Sequence, residues 1–254
     1  MIQQGSRVLE LGCGQDSCTA VLAAVVGSSG HVDAVDPAPG NYGAPFTLEQ
    51  AQSHISASEV GDRITWHRAE PEQFLLDAAS RQETWDVAAL AHCIWYFSSA
   101  ETLTNTMRAL KGRVRSVCIA EYALHATEQA AVPHVLAALA RGMLEAHKES
   151  SQANIRTPLS PNAIRQIIET SGWRVESKTT AVPAKGLLDG YWEVEMIRRD
   201  EFLEEIRNTV RDQRMQNSAV FSKRCYDCCR KRTVRREGVH DGRLGCVLLR
   251  NVAG

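Results

Sequence analysis

The run Arg7-Val8-Leu9-Glu10-Leu11-Gly12-Cys13-Gly14, followed by Gln15 and Asp16, decides the fold. An apolar, strand-prone stretch enters a Gly-x-Gly turn, and a helical pattern opens almost at once at Ser17. Glycine belongs where the backbone takes positive φ or lies against a ligand, because a Cβ would collide there. The helix that follows presents unpaired N–H groups to whatever rests on the turn. Further on, His31-Val32-Asp33-Ala34-Val35-Asp36 reads as a second strand ending in a carboxylate. An acidic side chain at the tip of a second parallel strand accepts ribose hydroxyls, so the unit reads as a nucleoside-binding βαβ half. The third glycine of the dinucleotide fingerprint is absent, which argues against a nicotinamide enzyme. Glu10, inside the motif, would repel a pyrophosphate and suits a cationic ligand.

Glu10-Leu11-Gly12-Cys13-Gly14 with Asp36 resembles motif I and the acidic loop of the class I S-adenosylmethionine-dependent methyltransferases, over roughly residues 6–124. The resemblance implies a doubly wound, Rossmann-like α/β fold with a mostly parallel sheet. It implies S-adenosylmethionine as cofactor, with S-adenosylhomocysteine as product. Carried over residue by residue, it places Glu10, Gly12, Cys13, Gly14, Asp36, Pro37, Glu70 and Ala91 at the cofactor. Glu70 is the acidic residue at the end of a third strand, Arg63 to Arg68, that would read the adenine amino group. A bland alternative for it is an acidic first turn favoured by the helix dipole. Methyltransferases of this class usually carry N-terminal helices over the cofactor, and this chain reaches its first strand within a few residues of Met1.

Trp85 to Ala91 is nearly all apolar, as a fully covered central parallel strand should be. It runs into His92-Cys93-Ile94-Trp95-Tyr96-Phe97, where ligands of open α/β sheets bind. His92 is the first candidate for a general base, since an imidazole titrates near neutrality. Glu121 and Tyr122, at the end of a fifth strand, are further candidates, Glu121 for catalysis and Tyr122 for the acceptor pocket with Trp95 and Tyr96. Residues 127–149 form a long Ala-rich helical pattern interrupted at Pro133, and 125–157 read as a helical insertion after the fifth strand, a candidate lid. A helix opens at Pro161, a sixth strand at Trp173, a loop covers 186–192, a charged helix 198–217, and Leu244 to Leu249 make a closing strand. The expectation is one methyltransferase domain over 1–254, with a cofactor-binding half at 1–124, the insertion, and the remaining sheet with a basic, Cys-containing segment at 158–254.

A formal net charge of −1 gives no general attraction to nucleic acid or anionic membrane, and no apolar run is long enough to cross a bilayer. The residues after the fourth strand, Ala91-His92-Cys93-Ile94-Trp95, differ from the Asn/Asp-Pro-Pro-aromatic segment of base methyltransferases. The acceptor is therefore expected to be a small molecule methylated at oxygen, nitrogen or sulfur, by a cytoplasmic enzyme for which a homodimer stays open. Eight cysteines include Cys13, Cys18, Cys93 and Cys118 at core-like positions, read as reduced thiols. Cys225-x-x-Cys228 with Cys246 and His240 matches no usual zinc spacing, so no metal is assigned. The run 223–236 is basic and reads as a solvated tail rather than an RNA contact. The competing class is a methyltransferase fold that binds cofactor without turnover.

Overall fold

The computed structural model describes residues 2–15, 17–126, 128–151, 153–182, 188–217 and 244–251. Seven strands make one sheet: β1 (Arg7–Leu11), β2 (His31–Asp36), β3 (Ile64–Arg68), β4 (Trp85–Ala91), β5 (Val114–Tyr122), β6 (Trp173–Ala181) and β7 (Leu244–Asn251), in the order β3-β2-β1-β4-β5-β7-β6. The first five are mutually parallel, and β7 runs antiparallel between β5 and β6. The strand order reverses between β1 and β4, and a doubly wound sheet opens its ligand crevice at such a switch point.

The helices α1 (Ser17–Val26), α2 (Leu48–Ser56), α3 (Pro71–Ser80), α4 (Ala100–Leu110), α5 (Val132–Glu145), α6 (Pro161–Thr170), α7 (Asp189–Arg198) and α8 (Asp200–Thr209) accompany the sheet. Alternation along β1 sorts its side chains onto two faces. Val8 packs with Leu22, Ala23 and Val26 of α1, while Leu9 and Leu11 join a larger core with Leu75, Leu103, Met107, Leu110 and Ile168. Burying each of the large apolar side chains stabilises by about 1.5–3 kcal/mol. Asp33 is the polar exception within this frame. Its carboxylate accepts from Arg7 Nη2 at 3.0 Å, Trp85 Nε1 at 2.7 Å and His67 Nε2 at 2.9 Å, tying β1, β3 and β4 to β2.

α2 starts as its sequence dictates, with Thr47 and Gln50 forming a reciprocal capping box. The 127–149 pattern divides next to Pro133, into a 3-10 turn at Gln129–Ala131 and α5 from Val132, which carries the proline in its first turn, where the missing N–H costs nothing. One expectation is corrected. The expected loop over 186–192 gives way to helix from Asp189, and Arg199, in extended conformation, separates α7 from α8.

α5 docks on α7 and α8 through Ala137, Leu144, Val194, Ile197, Phe202 and Ile206. Beside that contact Arg141 Nη1 reaches Glu205 at 2.7 Å and Glu145 at 3.3 Å, while Lys148 Nζ bonds Glu145 at 2.6 Å and also Glu205. Burial alone would raise the Glu205 carboxyl, but the hydrogen bonds from Lys148 and Arg141 outweigh it and lower its pKa. The basic run 223–236, the Cys225-x-x-Cys228 pair and His240 lie outside the described residues.

Candidate functional site

The β1–α1 turn is built by close backbone approach. Gly12 has φ +73°, and a Cβ there would lie 2.4 Å from Cys93 Cβ in the segment after β4. The N–H groups of Gly12 and Cys13 both donate to Val35 O, joining the turn to β2. Gly14 has φ +55°, and a Cβ added to it would have no atom within 4 Å. The first glycine therefore serves packing, and the second leaves backbone bare toward open space, the form a ligand-cradling turn takes.

Asp36, at the end of β2, is fixed by that turn. Its Oδ2 accepts the Gly14 N–H at 2.9 Å, and its Oδ1 accepts the Ala38 N–H at 2.9 Å. A carboxylate has about four acceptor positions, so each oxygen keeps capacity for a hydroxyl. Glu70 is exposed at the N-cap of α3 and makes no side-chain capping bond. Pro37 is exposed beside Asp36, and Ala91 closes β4 opposite Ala120. Cys13 is buried. Glu10 is 1% exposed and accepts Thr19 Oγ1 at 2.5 Å, placing its carboxylate beneath α1. Burial and that neighbouring negative charge push the Cys18 thiol far up.

His92 follows β4 with φ +54°, uncommon for a residue with a side chain. Its N–H donates to Ala120 O at 2.9 Å, its Nδ1 lies 3.9 Å from Glu121 Oε1, and its ring meets Tyr122 edge-on at 4.6 Å. Glu121 itself is buried, accepting the N–H groups of Ile94 at 3.1 Å, Trp95 at 3.4 Å and Tyr122 at 2.9 Å. This carboxylate shapes the turn after His92 and lies beside the imidazole. Trp95, at 3% exposure, packs with Tyr122, Ala138 and Ile155, and its indole N–H donates to Leu159 O. Tyr122 is buried between His92 and His134, whose ring stands 4.7 Å away, nearly perpendicular. Tyr96 alone of the expected pocket aromatics is substantially exposed, at 40%.

Two further segments bridge these loops. Gln15 Nε2 donates to Phe46 O, and Tyr42 OH donates to Asn154 Oδ1 at 2.7 Å, so the β2–α2 loop spans from the glycine turn to the segment that follows α5. Arg156 and Thr157 donate their N–H groups to Trp95 O at 2.8 and 3.0 Å, which seats that segment against the turn after β4. The proline- and glycine-rich composition of 37–45 signalled a stiff loop there, without naming its partner.

The doubly wound strand order, the glycine turn and the strand-end aspartate define a Rossmann-like α/β fold. No family model matches the sequence. Methyltransferases phomM' and phomM of Diaporthe leptostromiformis are both 29% identical over 239 aligned positions, covering 79% of this chain and 61% of their own length. The chain thus spans about 61% of the length of the curated relatives it matches. A solved cyclopropane-fatty-acyl-phospholipid synthase-like protein from Lactobacillus casei ATCC 334 is 31% identical with a TM-score of 0.83, covering 98% of this chain and 85% of that one. Mycolic acid cyclopropane synthase CmaA1, solved with SAH and CTAB, shares the fold at 13% identity and a TM-score of 0.52, covering 98% of this chain and 79% of that one. The chain belongs to the class I S-adenosylmethionine-dependent methyltransferases.

Proposed function

We propose that the protein transfers a methyl group from S-adenosylmethionine to an oxygen, nitrogen or sulfur of a small-molecule acceptor. The observation that carries this reading is the pairing of a bare Gly14 backbone with Asp36, held by the Gly14 N–H at 2.9 Å. In this reading the spare acceptor capacity of Asp36 takes the ribose hydroxyls, Gly12 to Gly14 admit the methionine chain, and Glu70 reads the adenine amino group. CmaA1, of the same fold, is known with SAH bound, which supports that placement. When bound, the cofactor supplies an electrophilic methyl on a sulfonium. His92 takes the proton from a hydroxyl or ammonium acceptor, with the Glu121 carboxylate 3.9 Å from its Nδ1. Tyr96 supplies exposed aromatic surface for the acceptor.

A formal net charge of −1 supports a small molecule over nucleic acid as acceptor. Among the described residues no helix is long and apolar enough to cross a membrane. The same reading places the activity in the cytoplasm, with a homodimer compatible with it. Calorimetric titration with S-adenosylmethionine, S-adenosylhomocysteine and NAD tests it. Binding of the two sulfur nucleosides and not NAD is expected. Binding of NAD, or of none of them, would overturn it, and binding with no product over a broad acceptor panel would favour a non-catalytic binding module.

A further inference from the structure

Arg156 stands on the segment after β4 and near Tyr42, with guanidinium donors to spare. Its backbone N–H is anchored on Trp95 O at 2.8 Å, and its neighbour Ile155 is buried in the cluster with Trp95 and Tyr122. The chain around it also meets the opposite rim, through the Tyr42–Asn154 hydrogen bond at 2.7 Å. The Tyr42 phenol is pushed up by burial and by the Asp36 charge, and Arg156 counteracts that shift. Arg156 is thus felt by the loop that follows Asp36 while standing on the segment that follows His92.

Its own contacts are few. Nη1 makes one long bond, 3.4 Å to Ser151 O, and Nε is shielded from solvent with no hydrogen-bond partner among the described residues. Among those residues no carboxylate lies within 4.0 Å of it. Folded proteins seldom leave a shielded N–H orphaned, and a guanidinium fork matches a carboxylate bidentately.

We propose that Arg156 receives a carboxylate of the bound methyl acceptor, so that acceptors of this enzyme are anionic small molecules. The inference rests on the methyltransferase reading and narrows its substrate class. A carboxylate also ends the methionine part of the cofactor, and the shared chemistry calls for a test that separates the two sources. The chain is first titrated with S-adenosylhomocysteine, as wild type, Arg156→Gln and Arg156→Lys. The protein saturated with it is then titrated with benzoate and with benzamide, its neutral isostere.

The expected result is equal S-adenosylhomocysteine affinity in all three proteins. Benzoate should bind the loaded wild type at millimolar concentration and benzamide should not. That preference should vanish in Arg156→Gln and survive in weakened form in Arg156→Lys. A tenfold or larger loss of S-adenosylhomocysteine affinity in Arg156→Gln, without loss for the decarboxylated nucleoside, would assign Arg156 to the cofactor and overturn the acceptor site. Equal benzoate binding by wild type and Arg156→Gln, or none by the loaded wild type, would overturn it as well. Failure of the wild type to bind S-adenosylhomocysteine would instead sink the parent reading.

Discussion

Each side chain at the crevice carries a distinct consequence. Asp36→Ala removes the acceptor for the Gly14 and Ala38 N–H groups together with the proposed ribose contacts. S-adenosylhomocysteine binding should weaken by about 1.5–3 kcal/mol per charged hydrogen bond lost, read by titration calorimetry. Unchanged affinity in a folded variant would refute the ribose role. Gly12→Ala sets a Cβ 2.4 Å from Cys93 Cβ at φ +73°, so about 2–4 kcal/mol of stability should go, measured by urea unfolding. His92→Gln should lower kcat about a hundredfold and erase the acidic limb of the pH–rate profile while leaving S-adenosylhomocysteine affinity intact. A profile that keeps its acidic limb would assign the base elsewhere.

Among elements, α5 depends most on polar contacts. Arg141 lies over the Phe202 ring at 4.7 Å and bridges Glu145 to Glu205. Arg141→Ala leaves Glu145 buried with one cation fewer, at a cost of about 3 kcal/mol. Limited proteolysis should then cut faster within 125–157, and an unchanged cleavage rate would show that apolar packing alone holds the helix. Elements were legible in the sequence where local chemistry and burial agree. β4 is a near-continuous apolar run covered on both faces, and α2 carries its own capping box. α7 was not legible: Gly190, Tyr191 and Trp192 are poor helix formers, and the helix persists because Val194 and Ile197 bury against α5. The strand–turn–helix around Gly12 and Gly14 was readable because a Gly-x-Gly pair between an apolar run and a helical pattern marks a tight turn. The partners of Glu121, at the end of β5, and of Trp95, in the turn after β4, were not legible. A carboxylate reads the same whether it meets a ligand or backbone N–H groups, and an aromatic reads the same whether it stacks on substrate or on Tyr122. Arg156 gave no signal, since a lone arginine in a polar loop is ordinarily solvated.

At the scale of the molecule, the sheet is pH-sensitive through Asp33. Burial favours its neutral form, but hydrogen bonds from His67 and Trp85 and the Arg7 charge outweigh it and hold the carboxyl at about 2. Its folded pKa lies below the unfolded value of about 3.9, so its stabilisation is complete above that value and is lost as pH falls toward the folded one. Asp33→Asn should flatten the acid limb of stability between about pH 4 and 2, followed by urea midpoints. An acid limb as steep as the wild type's would show that other carboxylates dominate. The strand order has a consequence for synthesis. β7 lies between β5 and β6 although it follows both in the chain, pairing Ser116 to Tyr122 on one side and Trp173 to Ala181 on the other. While the polypeptide emerges from a ribosome, the β5 margin stays open for the more than one hundred residues separating Tyr122 from Leu244. An open strand margin recruits other chains, so nascent protein halted before Leu244 should bind holdase chaperones and release them once Asn251 clears the tunnel.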